Sequence, residues 1–420
     1  MKIYEIGTGY TPIPAQMGAA TEIVVEELTK ALVRQRYDVT IIDIAADKRK
    51  KNNLPIIEVP VPSMFRGTDV KLGVMHKLKR VIYSINLAAV LKKILKKSKG
   101  KVILHFHNQY NMYFFMKLTP KRIRQQCTIV YTNHSYIWHG AWDEIKSTVQ
   151  KRYFQEIFSM KNADYVFVLN EVTKDTLIKH VGIEKTKIYL IDNGVNTEVY
   201  KPMSPAEEKD FQDLNKIAGK RVFIQVGSVC ERKNQLGAVE LLLPFLKEDP
   251  NCVFMYAGGI ISEEYQEEVK NYAKKNHVEN QVIYLGELKP GKELNKYYSV
   301  ADAMVFPSKS EGFSLVILEA MSAGTPVFVR NTLEFKLADE CLQYKDANEF
   351  EEKMRKYILD DDSRKTLSEK AREVVMENYS WNKIGMDYIT EIKRGGVIPN
   401  KNLIYLYPCV PFDSCEQEAA

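Results

Sequence analysis

Short apolar runs alternate with longer amphipathic stretches along this chain, and the alternation halts once, near the middle, before beginning again. Residues 3–7, 39–44, 102–106, 128–132, 165–169 and 187–191 are apolar runs of strand length. Between them, 21–36, 72–97, 143–160 and 171–181 repeat their apolar residues at helical spacing. Residues 193–219, with Pro202 and Pro205, break the pattern. It resumes with strand-like runs at 221–226, 252–257, 282–285, 303–306 and 326–329, separated by helical stretches at 235–246, 262–276, 292–300 and 315–323. Apolar strands joined through helices predict parallel sheets covered on both faces. A chain of 420 residues is also too long for one ordinary core. The expected fold is therefore α/β, with two doubly wound, Rossmann-like parallel-sheet domains facing each other across a cleft at the carboxyl ends of their strands. The expected divisions are 1–195, then 196–395 with closing helices from 348 to 394, then a tail, 396–420.

The segment from Ser310 to Val327 carries the most chemistry. It follows the apolar run 303–306 and a turn at Pro307-Ser308, so it reads as strand, loop and helix. Glu311 falls in the loop and Glu319 about two turns into the helix. Between them, the backbone N–H groups near Gly312, Phe313 and Ser314 lie where a helix leaves its first donors unpaired, a setting that holds phosphate. Two anions would repel, so Glu319 is not a phosphate ligand. A carboxylate beside a diphosphate is better used on neutral hydroxyls, such as those of a ribose or a sugar. One segment thus offers a phosphate cradle flanked by two hydroxyl acceptors, which suits a sugar nucleotide.

The spacing of these glutamates resembles the signature of the retaining glycosyltransferases of family four, which have the two-domain GT-B architecture. Asn193-Gly194-Val195-Asn196 resembles that family's inter-domain junction. Val226-Gly227-Ser228 with Glu231-Arg232-Lys233-Asn234 resembles its phosphate-contacting loop, and Gly286, Tyr297-Tyr298, Ala301-Asp302 and Pro307-Ser308 follow in the family's order. The resemblance spans about residues 1–395 and is stronger after about residue 190. It implies a retaining transferase that moves a sugar from a nucleoside-diphosphate sugar to an acceptor hydroxyl, without metal or cofactor, in cell-surface polysaccharide or glycolipid synthesis. It also implies that the last helix, around Trp381-Asn382-Lys383, crosses back onto the first domain.

Residue by residue, the resemblance makes His134, Lys233 and Glu311 catalytic. His134, in Tyr131-Thr132-Asn133-His134-Ser135, would sit under the transferred sugar. Lys233 would neutralise charge on the departing diphosphate, and Glu311 would take the sugar hydroxyls. Donor binding would fall to Gly18, Ser228, Arg232, Lys233, Gly312, Phe313, Ser314 and Leu315, with Glu319 on the ribose and Gly258 and Leu288 bordering the base. Two departures stand out. Ala19 replaces the second glycine usual after Gly18, and Ser228 stands where many relatives have arginine, so Arg232 is a candidate for that second charge.

Charge is unevenly distributed. The chain's net charge is +6, yet residues 71–101 hold ten Lys or Arg and no Asp or Glu, so the remainder is slightly acidic. Val81, Ile82, Ile85, Leu87, Val90, Leu91, Ile94 and Leu95 recur there at roughly helical spacing. Two readings stand: a basic amphipathic helix lying on an anionic membrane surface, or a core-packed helix with a solvated basic face. The first gains from the lipid-linked acceptors common in the resembled family. Nucleic acid is disfavoured, because no aromatic-interleaved or Gly-rich basic tract accompanies the charge. No apolar run reaches the roughly 18–20 residues of a membrane span. Six cysteines lie scattered without a Cys-x-x-Cys pair, and no signal peptide precedes residue 3. A cytoplasmic protein is expected, with peripheral contact at the inner membrane face if the helix binds lipid.

Weaker patterns compete. Gly7-Thr8-Gly9 with Asp43 could open a dinucleotide fingerprint, but position 12 is proline where the third glycine belongs, so a nicotinamide enzyme is a minor alternative. Four of the seven histidines, His105, His107, His134 and His139, fall within 35 residues. A zinc site would need an acidic or cysteine partner, and none stands nearby in sequence. His105, His107 and His139 therefore read as core or rim residues. Asp360-Asp361-Asp362 reads as a solvated helix start rather than a metal motif. Two other functions stay open: another enzyme of this fold, such as a sugar-nucleotide epimerase or a phosphorylase carrying pyridoxal phosphate, and a non-catalytic sugar-nucleotide-binding subunit.

Overall fold

The computed structural model describes residues 2–14, 19–67, 74–333 and 335–394, the side chains of Tyr136 and His139 aside. Gly18, Lys71 and the tail from residue 396 lie outside the described residues. Two parallel sheets form the frame. The first orders its seven strands β3-β2-β1-β4-β5-β6-β7. These are β1 (Lys2–Ile6), β2 (Asp38–Ile44), β3 (Ile56–Val59), β4 (Val102–Phe106), β5 (Cys127–Thr132), β6 (Tyr165–Val168) and β7 (Ile188–Leu190). The second orders six, β10-β9-β8-β11-β12-β13. These are β8 (Arg221–Val226), β9 (Cys252–Ala257), β10 (Val282–Tyr284), β11 (Ala303–Phe306), β12 (Val327–Arg330) and β13 (Leu342–Tyr344). Each order reverses direction once, between β1 and β4 and between β8 and β11. Ligands of such sheets collect at these switch points, outside the strand carboxyl ends.

Several expected elements change in detail. The stretch 143–160 is two helices, Trp142–Arg152 and Phe154–Asn162, broken at Tyr153. The helix expected at 171–181 is α-helical over Glu171–Thr176 and widens to a π-turn over Leu177–Val181. The connector contains a helix, Pro205–Leu214, whose start is fixed by a capping box between Ser204 and Glu207. Asp360 caps the Asp361–Asn378 helix through its side chain, as a solvated helix start should.

The last helix, Trp381–Arg394, leaves the second sheet and packs on the first. Trp381, Ile384, Tyr388, Ile389 and Ile392 share one buried cluster with Ile3, Ile103, Val130 and Phe167 on the strands and with Val24 and Leu28 of the Ala20–Arg34 helix. The junction is tight where it crosses: Val195 N–H donates to Tyr379 O at 2.9 Å, and a Cβ on Gly194 would come within 2.7 Å of the Trp381 ring. Gly194 is there because nothing larger fits beneath the indole.

The basic helix runs Val74–Lys97. Tyr83, Leu87, Ala88, Leu91 and Leu95 face the core. Ile85 turns outward with 41% of its surface exposed, so it stands apart from the core-packed face. Lys93, Lys96 and Lys97 are exposed and Lys92 is half-buried.

Candidate active site

Two loops meet at the second switch point. After β8 the chain turns through Gly227 to Asn234, where the Gln235–Glu248 helix begins. After β11 it turns through Pro307 to Ser314, where the helix Leu315–Ser322 begins. The loops are zipped together: Lys309 N–H donates to Arg232 O at 2.9 Å, Asn234 Nδ2 to Pro307 O at 3.2 Å and Arg232 NH1 to Ser310 O at 2.9 Å.

Glu311 is the hub. Its Oε1 lies 2.7 Å from Lys233 Nζ and 2.9 Å from Arg232 NH1, and it accepts the Ser308 hydroxyl at 2.6 Å. All three bonds fall on one oxygen. The Lys233 pKa is lowered, since burial favours the neutral amine and the Glu311 carboxylate only partly restores the charge. Three residues on, the buried Ser314 hydroxyl caps no N–H group and has no hydrogen-bond partner among the described residues. A free hydroxyl, the first amides of a helix and two cations thus share one corner, the composition of an anion site.

Glu319 occupies a separate position. It is the fifth residue of its helix, one turn in rather than two. Tyr298 Oη donates to its Oε2 at 3.1 Å. Burial pushes its carboxyl up to about 7, with the Tyr200 and Tyr298 hydroxyls restraining the rise. Its pocket lies between the two sheets, lined by Ile23 and Glu26 from the first side and by Tyr200, Gly291, Leu315 and Glu319 from the second. Glu311 and Glu319 therefore have different surroundings, one ion-paired where the two loops meet and one desolvated against tyrosines.

Other expected donor residues fall nearby in different ways. Gly312 is tied to the first sheet's side, because Asn170, after β6, donates through Nδ2 to its carbonyl at 2.7 Å. Phe313 is half-buried against Phe335, with ring centroids 5.9 Å apart. Ser228 is half-buried and its carbonyl accepts from Gln235 Nε2 at 3.0 Å. Gly258 has φ +147°, and a Cβ there would stand 2.1 Å from Gly227 O. It is glycine so that the β8 and β9 loops can touch. Leu288 packs half-buried on the second sheet's core, and neither it nor Gly258 lines the Glu319 pocket.

Across the cleft, His134 follows β5 and is half-buried. Its Nε2 lies 3.0 Å from His107 Nδ1, and His107 Nε2 lies 2.9 Å from Glu5 Oε2. Glu5 on β1 pairs in register with His105 on β4, and His105 Nδ1 approaches the same oxygen to 2.8 Å. The histidines thus have an acidic partner that local sequence did not offer. The trio's ligand-type atoms lie within 4.8 Å of one another. However, the 2.9 Å separation of His107 Nε2 from the carboxylate suits a protonated nitrogen, whereas ligands on tetrahedral zinc stand about 3.3 Å apart. His105 Nδ1, for all its 2.8 Å approach, makes no hydrogen bond among the described residues. Burial works to raise the Glu5 carboxyl, but His105 and His107 outweigh it and hold the group at about 2. Burial also lowers His107 to about 4 and His134 well below the usual imidazole range. Asp43, the other candidate acid, is spent on structure: its Oδ2 takes Arg49 and the Ile13 N–H, each at 2.7 Å.

Comparison with known proteins shows the family and the fold. Residues 21–199 match the family model described as Glycosyltransferase Family 4, and residues 206–374 the one described as Glycosyl transferases group 1. The UDP-Gal:alpha-D-GlcNAc-diphosphoundecaprenol alpha-1,3-galactosyltransferase of Escherichia coli is 26% identical over 244 residues, which span 57% of this chain and 60% of that protein. Among solved structures, sucrose-phosphate synthase from Thermosynechococcus elongatus superposes with a TM-score of 0.72 at 20% identity, covering 94% of this chain and 98% of that one. An Anabaena protein solved in complex with UDP-glucose does so with a TM-score of 0.66 at 16% identity, covering 94% and 100%. These likenesses confirm the GT-B fold. With both family models in consecutive register over most of its length, the chain belongs to the group 1 glycosyl transferases, its amino-terminal half being that of Glycosyltransferase Family 4.

Proposed function

We propose that this protein is a retaining glycosyltransferase that moves a sugar from a nucleoside-diphosphate sugar to an acceptor hydroxyl, with no metal ion, in cell-surface polysaccharide or glycolipid synthesis. The observation that carries the reading is the corner where Lys233, Arg232, the free Ser314 hydroxyl and the first amides of the Leu315–Ser322 helix converge beside Glu311. A diphosphate placed there meets fixed positive charge without a cation of its own. Glu319, in its desolvated pocket, takes the ribose hydroxyls. Glu311 Oε1 is committed to the cations, so Oε2 is the oxygen left for the sugar. As the bond from the sugar's anomeric carbon to phosphate breaks, negative charge grows on the leaving oxygen, where Lys233 and the amides hold it. The acceptor oxygen bonds the same face of that carbon, and its proton passes to the leaving phosphate oxygen. This route needs no protein nucleophile.

A thermal-shift and turnover screen over a panel of sugar nucleotides tests the reading, since a ligand held only by the folded state raises Tm. At least one donor should stabilise the protein, and its turnover should persist in excess chelator. Stabilisation by none would remove the donor assignment. Loss of turnover in chelator, restored by magnesium or manganese, would remove the metal-free route.

A lipid-linked acceptor is favoured by one surface. Ile85, Ala88, Lys92, Lys93, Lys96 and Leu118 line a groove that puts an apolar floor beneath three lysines, a match for an anionic headgroup and the chain below it. No helix among the described residues is long and apolar enough to cross a membrane. Binding to anionic vesicles is expected at low salt and should weaken steeply as salt rises. Charge reversal at Lys92, Lys93 and Lys96 should abolish co-sedimentation. No co-sedimentation at low salt would leave the groove a solvated face.

A further inference from the structure

Behind His134 a buried chain of hydrogen bonds runs to the first strand. Glu5 is fully buried on β1 and His107, just past the end of β4, is 5% exposed. Each nitrogen of His107 has one partner: Nε2 meets Glu5 Oε2 at 2.9 Å and Nδ1 meets His134 Nε2 at 3.0 Å. The two rings lie nearly parallel, with an interplanar angle of 22°. The His105 ring is tilted against His107 at 46° with centroids 4.0 Å apart, and Tyr388 of the closing helix stacks on His105 at 5.0 Å. Glu5, His105, His107 and Tyr388 are therefore the titratable groups packed around this chain.

The direction of every proton follows from its first member. An ionised carboxylate only accepts, so His107 Nε2 must carry a hydrogen. A neutral ring protonated on Nε2 has a bare Nδ1, which can only accept. The nitrogen facing it, His134 Nε2, must then donate, and His134 Nδ1 is left bare. We propose that Glu5 and His107 are positioning residues that lock His134 into the Nε2–H tautomer, so that it meets the transferred sugar through Nδ1 as an acceptor, taking a hydrogen bond from a sugar hydroxyl rather than giving one. The inference rests on the reading that puts His134 beneath the sugar. The low pKa of Glu5 and the neutrality of both rings agree with it. Such locking matters because an unrestrained imidazole divides between two tautomers, only one of which fits a given hydroxyl.

The test uses the full chain labelled with ¹⁵N-histidine, with the His134 signals assigned by their loss in His134→Gln. Long-range ¹H–¹⁵N correlation should show His134 protonated on Nε2 and bare on Nδ1. His107→Leu removes the acceptor and should lower kcat by about 10- to 100-fold, with nucleoside-diphosphate affinity unchanged. In His107→Asn the amide oxygen can stand where Nδ1 stood, so this variant should recover most of the lost kcat and the His134 tautomer with it. Three results would overturn the proposal: His134 protonated on Nδ1 in the unaltered protein, full activity in His107→Leu, or an Asn variant no better than Leu while both still bind nucleotide. The first is also what a metal ion on His107 Nε2 would produce. The NMR measurement reads the tautomer even if no donor in the panel turns over, so failure of the relay and failure of the donor assignment are told apart.

Discussion

Lys233→Ala should lower kcat by about 10²- to 10³-fold, the cost of removing one preorganised charge from the site of a developing anion. In the free protein Lys233 Nζ is held 2.7 Å from Glu311 and its stem lies along Gly227, where a Cβ would stand 3.2 Å from it. The side chain is thus aimed before substrate arrives, and no reorganisation is spent when the bond breaks. Affinity for free nucleoside diphosphate should fall as well, because that product carries the charge which builds up in the transition state. Glu311→Ala and His134→Ala should act differently, lowering mainly kcat and leaving the nucleoside diphosphate, which lacks the sugar, bound nearly as before. Steady-state kinetics beside calorimetric titration of the four proteins separates these patterns. An unchanged kcat in Lys233→Ala would mean that the corner binds something other than a leaving diphosphate.

Glu319→Ala is expected to give the opposite signature. A ribose bound equally in ground and transition states contributes uniform binding, so donor KM rises with little change in kcat. Loss of hydrogen bonds to a charged acceptor, on the order of 1.5–3 kcal/mol, weakens nucleotide affinity by roughly 10- to 150-fold. The raised pKa adds a pH signature. With its carboxyl at about 7, Glu319 is protonated below neutrality and then accepts less well from the ribose. Donor binding captures the ionised form and expels the proton, so affinity should rise with pH up to about 7 and level off above it. A sugar nucleotide is the right ligand, since its diphosphate diester does not titrate in this range. Glu319→Gln should flatten the profile. A pH-independent affinity in the unaltered protein, or a larger loss in Glu311→Ala than in Glu319→Ala, would show that the two glutamates have been given each other's roles.

The strands that sequence located best are those buried on both faces. Arg221–Val226, Cys252–Ala257 and Ala303–Phe306 coincide with their apolar runs, because a covered parallel strand needs apolar side chains on either side. Two of the four edge strands escaped, whereas Ile188–Leu190 and Val282–Tyr284 fell within their expected runs. Ile56–Val59 and Leu342–Tyr344 border their sheets, are three or four residues long and are only partly buried, so little in their composition distinguishes them from loops. The Gln109–Leu118 helix escaped for another reason. Its aromatic and methionine residues carry no charge before Lys117, and the polar face that normally marks a helix is missing.

The candidate site divides along the same line. Glu311, Ser314 and Glu319 were legible because they lie within nine residues on one strand–loop–helix unit, whose chemistry is set by local backbone geometry. Lys233 was legible only through resemblance. That it reaches Glu311 at all depends on β8 and β11 being neighbours, which pairs loops almost 80 residues apart. Glu5 was missed altogether, although a lone carboxylate inside an apolar strand is a signal, since such a group is rarely buried unless paired. Its partners, about 100 residues away, are invisible without the β1–β4 register. Sequence by itself determined the apolar periodicity, hence the two sheets, and the helix start after Ser314, because both are properties of contiguous residues. Only the tertiary structure decided which charges face one another and which carboxylate is desolvated. Those depend on strand order and on the closing helix whose Tyr388 covers His105, and both are products of long-range packing.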